Sequence, residues 1–347
     1  GSIINIATFN FNGNVNSSLY FGGANTTFTG NIVAGGEGVA AGTLDASANS
    51  VTINGKIGAN GASLLAMTVG GDSATTLTLN GNAYALSTNI DHENSTIVFG
   101  TDNITLNSNL VIAGDNYGII NATHDAAIVG NVGTTSGNAL QEIRISSGKT
   151  LTLSGGEINI QNLSPVDETS SLVITGSKNT DVTIANRVVD GTLTLSGSAV
   201  RTINANFGDA NSAFSTFNLG GTGKQTFAAG KGAQYFTDLT FTGATTSAAI
   251  FGGGVNVANA VSFTAASQAL TLQGDSNFAA GISFDGNAST ITLDSSLTSA
   301  KIQGAITTST NNTGTLAIKG DNTFTVENQV GSSGNALSSV TIANASN

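Results

Sequence analysis

The feature that most constrains this chain is recurrence: short runs alternating polar and apolar residues return every 20 to 27 positions along most of its length. Such runs are residues 50–54 (SVTIN), 75–80 (TTLTLN), 103–107 (NITLN), 150–154 (TLTLS), 171–175 (SLVIT), 192–196 (TLTLS), 269–273 (ALTLQ) and 290–294 (TITLD). A period of two is the mark of a half-buried strand, and the β-branched Thr, Val and Ile in these runs favour a pleated backbone. Gly, Asn or Asp follow almost every run and accept the positive φ that tight turns require. One unit of two or three such strands cannot bury its apolar side alone, whereas stacked copies share one core.

The last apolar residue of each strand gives two series. Ile53, Leu79 and Leu106 stand 26 and 27 apart, and Leu153 follows after 47; Ile174, Leu195, Leu219, Phe241 and Phe263 continue at 21, 21, 24, 22 and 22. Leu272, Leu293, Ile318 and Ile342 form the second series, at 21, 25 and 24. Phe263 and Leu272 are only 9 apart, so the two series belong to different faces of one unit. A longer phrase also repeats. Residues 55–81 (GKIGANGASLLAMTVGGDSATTLTLNG) and 130–155 (GNVGTTSGNALQEIRISSGKTLTLSG) share a frame, with shorter copies at 207–219 and 330–342. Leu64, Leu140, Phe214 and Leu337 occupy equivalent places in it.

These intervals predict an all-β chain, a right-handed parallel β-helix (solenoid) of about 14 rungs at roughly 25 residues each, as one domain over residues 1–347. Ladders of Ile, Val, Leu and Phe fill the inside, Thr, Ser and Asn face water, and Asn80, Asn107 and Asn138 are expected to stack as amide ladders at the turns. A string of immunoglobulin-like sandwiches fits less well, because the Trp and Cys pair of such domains are missing and they need no such period. A leucine-rich solenoid lacks its Asn or Cys after the LxxLxL-like phrases, where Asp72, Gly148 and Ala345 stand instead.

With no Cys among 347 residues there is no disulfide framework, thiolate nucleophile or Cys-ligated metal centre. Ten Lys and Arg against 21 Asp and Glu, a net charge of −11, argue against nucleic acid and anionic lipid as partners. No apolar run reaches the roughly 18 residues of a spanning helix. The opening Gly1-Ser2 reads as a cloning remnant, and the chain as an excised fragment of a longer protein.

Chemistry is sparse. Arg144, Arg187 and Arg201 fall in separate phrases away from acidic clusters and read as solvated surface residues. The two histidines lie in Asp91-His92-Glu93 and His124-Asp125, without a nucleophile motif to complete a triad. Gly148-Lys149-Thr150 imitates a phosphate loop, but Ile143 occupies the place of its first Gly and a strand follows. Lys319-Gly320-Asp321 matches an integrin-recognition tripeptide and reads more simply as a turn. No catalytic residue, cofactor site or metal ligand set is predicted. Binding is expected on loops that interrupt the regular rungs: Asp91, His92 and Glu93 in residues 89–96, and Asp167 and Glu168 in residues 164–171.

The phrases GNVGTTSGNALQEIRI and VGSSGNALSSVTIANASN, with TLTLSG-type strands between them, resemble the passenger regions of rickettsial outer-membrane surface antigens, the autotransporters of the surface cell antigen family. The resemblance implies an exported β-helical passenger at the bacterial surface, anchored in the outer membrane by a C-terminal β-barrel into which the native chain continues. It implies adhesion to a host-cell surface protein or glycan, host invasion, or surface-layer formation, hence a part in virulence. It brings no catalytic motif. The alternative is a carbohydrate-active β-helix enzyme of the polysaccharide lyase kind, which requires acidic and basic residues converging in a groove; the dispersion of the ten basic residues favours the adhesin.

Overall fold

The computed structural model describes all residues except 37, 39, 135–137, 178, 244, 245, 295–298, 320–322 and 344–347. The chain is an all-β parallel solenoid of about 14 turns with about 1% helix. It divides into two compact units, Gly1–Leu172 and Val173–Asn347.

In the first unit one stack of strands runs Ile3–Asn10, Thr26–Val33, Val51–Asn54, Thr76–Leu79, Thr96–Phe99, Tyr117–Ala122, Leu140–Ile145 and Ile158–Pro165, each paired in parallel with the next. A second stack runs Ser18–Tyr20, Thr43–Ala46, Leu64–Val69, Ala83–Ile90, Ile104–Ile112, Ala126–Val129 and Thr150–Leu153. The chain alternates between them. Parallel neighbours need a long crossover connection, and each stack supplies the crossover for the other.

The second unit is built alike. Its first stack is Thr180–Ile184, Arg201–Asn204, Lys224–Phe227, Ala248–Phe251, Ala269–Leu272, Thr290–Leu293, Thr313–Lys319 and Leu337–Ala343. Its second stack begins with Thr192–Leu195, Phe214–Leu219 and Gln234–Phe241. It then carries two short strands per turn: Val255–Val257 with Val261–Phe263, Ser276–Phe278 with Ile282–Ser283, and Ser299–Ile302 with Ile306–Thr307.

The strand register assigns the sequence series to faces. Ile53 faces Leu79, as the interval implies, but Leu79 faces Phe99 and not Leu106. Leu106 faces Ala83 and Ile128, and Ile128 faces Leu153, so the interval of 47 is two turns with Ile128 between. The step from Leu79 to Leu106 therefore jumps between faces. Both stacks carry the same alternating signature, so an interval near one turn does not reveal which stack is being counted. In the second unit Leu195, Leu219, Phe241 and Phe263 share one face, while Leu272, Leu293, Ile318 and Ile342 continue the other from Ile203, Phe227 and Phe251.

The fourfold phrase is a corner. Ile57, Val132, Phe207 and Val330 are each followed by a left-handed glycine: Gly58 (φ 60°), Gly133 (66°), Gly208 (62°) and Gly331 (71°). Each donates its N–H to a carbonyl of the preceding turn, on Ile32, Leu110, Val188 and Ile306 respectively. A Cβ at Gly58 would lie 2.5 Å from the Tyr84 carbonyl oxygen, and one at Gly208 2.4 Å from that of Tyr235. Only glycine serves where positive φ coincides with so close a backbone approach. A tight loop follows, closed between Ala59 and Ala62, Asp209 and Ser212, or Ser332 and Asn335. Leu64–Val69 leads from this loop into the second stack of its unit and Leu140–Ile145 into the first, so one phrase serves two different corners.

Asparagines link the turns, though mostly by another route than amide stacking. Asn80 Nδ2 does donate to Asn54 Oδ1 at 2.7 Å. Asn138 Nδ2 instead caps the carbonyls of Ile112 and Ala113, both at 2.9 Å, and Asn107 joins no such ladder among the described residues. More often a side-chain oxygen accepts a backbone N–H from the next turn: Asn31 from Lys56, Asn109 from Asn131, and Asn131 from Gly156 and Glu157. Corner N–H groups have no ladder partner, and the amide oxygen supplies one.

Candidate functional site

The two loops singled out in the sequence sit on different corners. Residues 91–95 follow the second-stack strand Ala83–Ile90, whereas residues 166–170 follow the first-stack strand Ile158–Pro165. Asp91, His92 and Glu93 thus belong to one surface element, and Asp167 and Glu168 to another.

The first of these is anchored by buried hydroxyls. Buried Ser95 accepts a hydrogen bond on Oγ from Thr75 N at 3.2 Å, and Thr75 Oγ1 donates to the Ala46 carbonyl at 2.8 Å while accepting from Gly70 N at 2.8 Å. Above this anchor Asp91 N donates to the Val69 carbonyl at 3.0 Å, and partial burial together with the negative charge of Asp45 raises the Asp91 carboxyl above the usual range. His92 Nδ1 contacts the Glu93 carbonyl, and its ring centroid lies 6.4 Å from that of Tyr117 on the next turn. Asn94 takes the left-handed conformation (φ 59°) and forms a reciprocal pair with Gln141: Asn94 N to Gln141 Oε1 and Gln141 Nε2 to Asn94 Oδ1, both 3.0 Å. Sequence reasoning missed Tyr117 and Gln141. Their signal was positional, since they lie about one and two turns beyond His92 and Asn94.

Asp167 closes its own loop. Its Oδ1 accepts from Thr169 N at 2.9 Å and Thr169 Oγ1 at 2.5 Å, and the Ser147 hydroxyl, followed by Thr169, holds the carboxyl below its ordinary range. Such self-bonding marks a turn-forming aspartate. Glu168 beside it is exposed.

The arginines divide. Arg144 pairs with Glu142 at 2.6 Å, and Arg187 pairs with Asp209. Burial raises the Glu142 carboxyl, but bonds from Arg144 and Ser164 outweigh it and leave a net lowering. The Asp209 carboxyl is held low by the backbone N–H groups of Asn211 and Ser212, with Arg187 adding to them. Arg201 overturns its surface reading: it is only 1% exposed. Nη2 donates to the Ser196 carbonyl at 2.8 Å, Nη1 reaches Gln225 Oε1 at 3.4 Å, and Nε has no partner. Burial lowers this guanidinium to about 10. It stands one turn from Gln225, its register partner on the next strand of the first stack, and both side chains are buried. Of the integrin-like tripeptide, Gly320 and Asp321 lie outside the described residues.

Among the described residues, no group of three or more His, Asp and Glu is placed to hold a metal ion. Each unit carries a groove along its outward strand residues. In the first unit a cavity of about 350 Å³ lies over Thr105, Ala127 and Thr152, in register on consecutive turns, with Asp125 on its rim. In the second, cavities of about 370 and 430 Å³ share Tyr235, Asn256 and Asn277 and so form one longer trench. Comparison with protein-family models, curated proteins and solved structures finds no match to this chain.

Proposed function

We propose that this chain is the displayed passenger of an autotransporter-type bacterial surface protein, held at the outer membrane by a barrel in the full-length protein. In this reading it acts without catalysis as an adhesin or surface-layer element contacting a host-cell surface protein or glycan. The observation that supports the reading is the turn-to-turn construction. Each turn pairs with its neighbours and offers an open edge to the next, so a chain threaded through a pore can fold as it emerges, without disulfides to form. The same construction leaves outward positions free to vary. Asp91 and Glu93 stand above a corner already anchored by Thr75 and Ser95, so binding groups at that corner need not carry the fold.

The test is display of this chain, as passenger of an unrelated membrane barrel, on a bacterium that does not adhere. Adherence to cultured epithelial cells is expected to rise, to be competed by soluble chain, and to fall when residues 91–94 are replaced by Gly and Ser. Surface-exposed, protease-accessible chain with adherence no higher than the empty barrel would sink the reading. So would new reducing ends after incubation with a polysaccharide panel, which would mark a glycan-cleaving enzyme.

A further inference from the structure

In the second unit four outward side chains on consecutive turns form a column: Tyr235 faces Asn256, Asn256 faces Asn277, and Asn277 faces Lys301. Successive members are separated by the strand spacing of about 4.8 Å. Their inward neighbours Phe236, Val257, Phe278 and Ile302 are all buried, which fixes the backbone beneath the column. Beside it, Ala258 and Ala279 leave a shallow trench, walled by the short loop at residues 209–213 and reaching Gln303 at its far end.

The polar groups of this trench are under-used. Asn277 Oδ1 is buried without a hydrogen-bond partner, and its Nδ2 reaches Gln303 Oε1 only at 3.5 Å. A buried acceptor without a donor is disfavoured until something supplies one. Of the charged groups along it, Lys301 pairs with Glu327 at 2.9 Å, Asp209 pairs with Arg187, and Asp275 Oδ1 accepts from Ser299 N at 2.7 Å.

We propose that this trench binds a neutral glycan chain laid along the column, with the Tyr235 ring against the apolar face of one pyranose and the amides of Asn256, Asn277 and Gln303 against hydroxyls of the next. Side-chain amides both donate and accept, and so do sugar hydroxyls, so one ladder of amides can follow a ladder of hydroxyls. A peptide strand binds by joining a sheet edge, but this is a sheet face whose backbone N–H groups are spent on the preceding turn, as at Ala258, Ala279 and Gln303. An anionic polymer would need unpaired cations, and Lys301 is engaged. The proposal deepens the surface-binding reading, and rests on it only in requiring an external ligand.

Titration of the full chain with short neutral oligosaccharides of glucose, galactose, mannose and N-acetylglucosamine, with heparin fragments as the anionic comparator, tests it. At least one neutral series is expected to bind, with little dependence on salt, and to be recovered uncleaved. Tyr235→Ala and Asn277→Ala should each weaken binding roughly tenfold, the scale of one lost aromatic or hydrogen-bonding contact. Tyr235→Phe should retain most of it, and Thr152→Ala in the other unit's groove should leave it unchanged. Thermal melting confirms the fold of each variant; should Tyr235→Ala not fold, Asn256→Ser takes its place. No neutral binder for the folded wild-type chain, stronger binding of heparin, or indifference to both Tyr235→Ala and Asn277→Ala would overturn the proposal. Adherence of displaying bacteria with no glycan binding sinks the trench alone, whereas glycan binding without adherence sinks the adhesin reading alone.

Discussion

The two units use one kind of turn to enclose different interiors. The first is packed mainly with aliphatic side chains, such as Leu64, Met67, Leu106, Ile128 and Leu153. The second holds a cluster of rings: Phe236 stacks on Phe217 at 5.1 Å, Phe227 on Phe251 at 4.4 Å, and Phe241, Phe263 and Phe284 form a separate column at 4.6 and 5.4 Å. The polar interior changes in step. Buried polar positions of the first unit use short hydroxyls, as where Thr88 Oγ1 meets Ser108 Oγ at 2.8 Å on neighbouring strands. The second often uses long amides: Gln225 Nε2 spans to the carbonyls of Ala199 and Gly223, both 3.0 Å, and Gln268 Nε2 to those of Phe241 and Gly243 at 3.3 and 3.2 Å. Surface charge differs too. Twelve acidic and three basic residues precede Val173 against nine and seven from there on, net charges of −9 and −2. The pairing of strands fixes the turn, and the interior adapts to whatever apolar volume the sequence supplies, provided corner carbonyls and N–H groups find partners.

The contrast breaks most visibly in the cores. Phe236→Ala removes a ring at the centre of the cluster and should cost about 3–5 kcal/mol, and Leu106→Ala in the first unit about 2–5 kcal/mol. Urea unfolding followed by hydrogen exchange should show lost protection confined to the altered unit; equal loss in both would remove the distinction between them. Next come the shared corners. Gly58→Ala and Gly208→Ala should each cost about 1–3 kcal/mol, because both combine positive φ with backbone contact. Gly148→Asn, at φ 67° with open space around it, should stay within about 0.5 kcal/mol.

Smaller effects sharpen the polar contrast. Thr88→Val should cost about 1 kcal/mol by breaking the bond to Ser108. Arg201→Met should be close to neutral or stabilising, since the guanidinium is buried without a carboxylate partner. Burial lowers the Arg201 pKa in the folded state to about 10, below its value in the unfolded chain, so above about pH 10 the unfolded chain binds more protons and stability rises with pH. Alkaline titration of the second unit should show that rise in the wild type and lose it in Arg201→Met. Smallest is the acid limb. Asp102, held low by the Asp125 N–H and then by Lys149, joins Glu142 and Asp167 in the first unit, against Asp209 in the second. Depressed carboxyls stabilise above their ordinary values of 3.8 and 4.5 and lose that contribution as pH falls through the folded values. Hydrogen exchange below pH 4 should therefore show the first unit weakening slightly more, by a margin that salt reduces.

Much of the fold was legible because burial alternates along a strand whatever its neighbours. The TLTL runs at residues 76–79, 150–153 and 192–195 all place Leu inside and Thr toward water. The candidate site was legible only in part. Asp91, His92 and Glu93 announced themselves as an irregular polar loop, but Tyr117 and Gln141 become neighbours of that loop through the coil. Tyr235, Asn256, Asn277 and Lys301 carry no motif at all. Each is an ordinary outward residue of its strand, and only the pairing of four turns lines them up.

Local alternation, and an apolar side that no single unit can bury, were enough to set the strands, their inward faces, the approximate turn length and the need to stack. Tertiary structure alone decided which strand lies on which. The length and left-handed glycines of each corner set how far the chain travels before it pairs again, so Leu79 meets Phe99 rather than Leu106. It also decided that Arg201 lies inside, where the Ser196 carbonyl and Gln225 of the next turn accept bonds from its guanidinium.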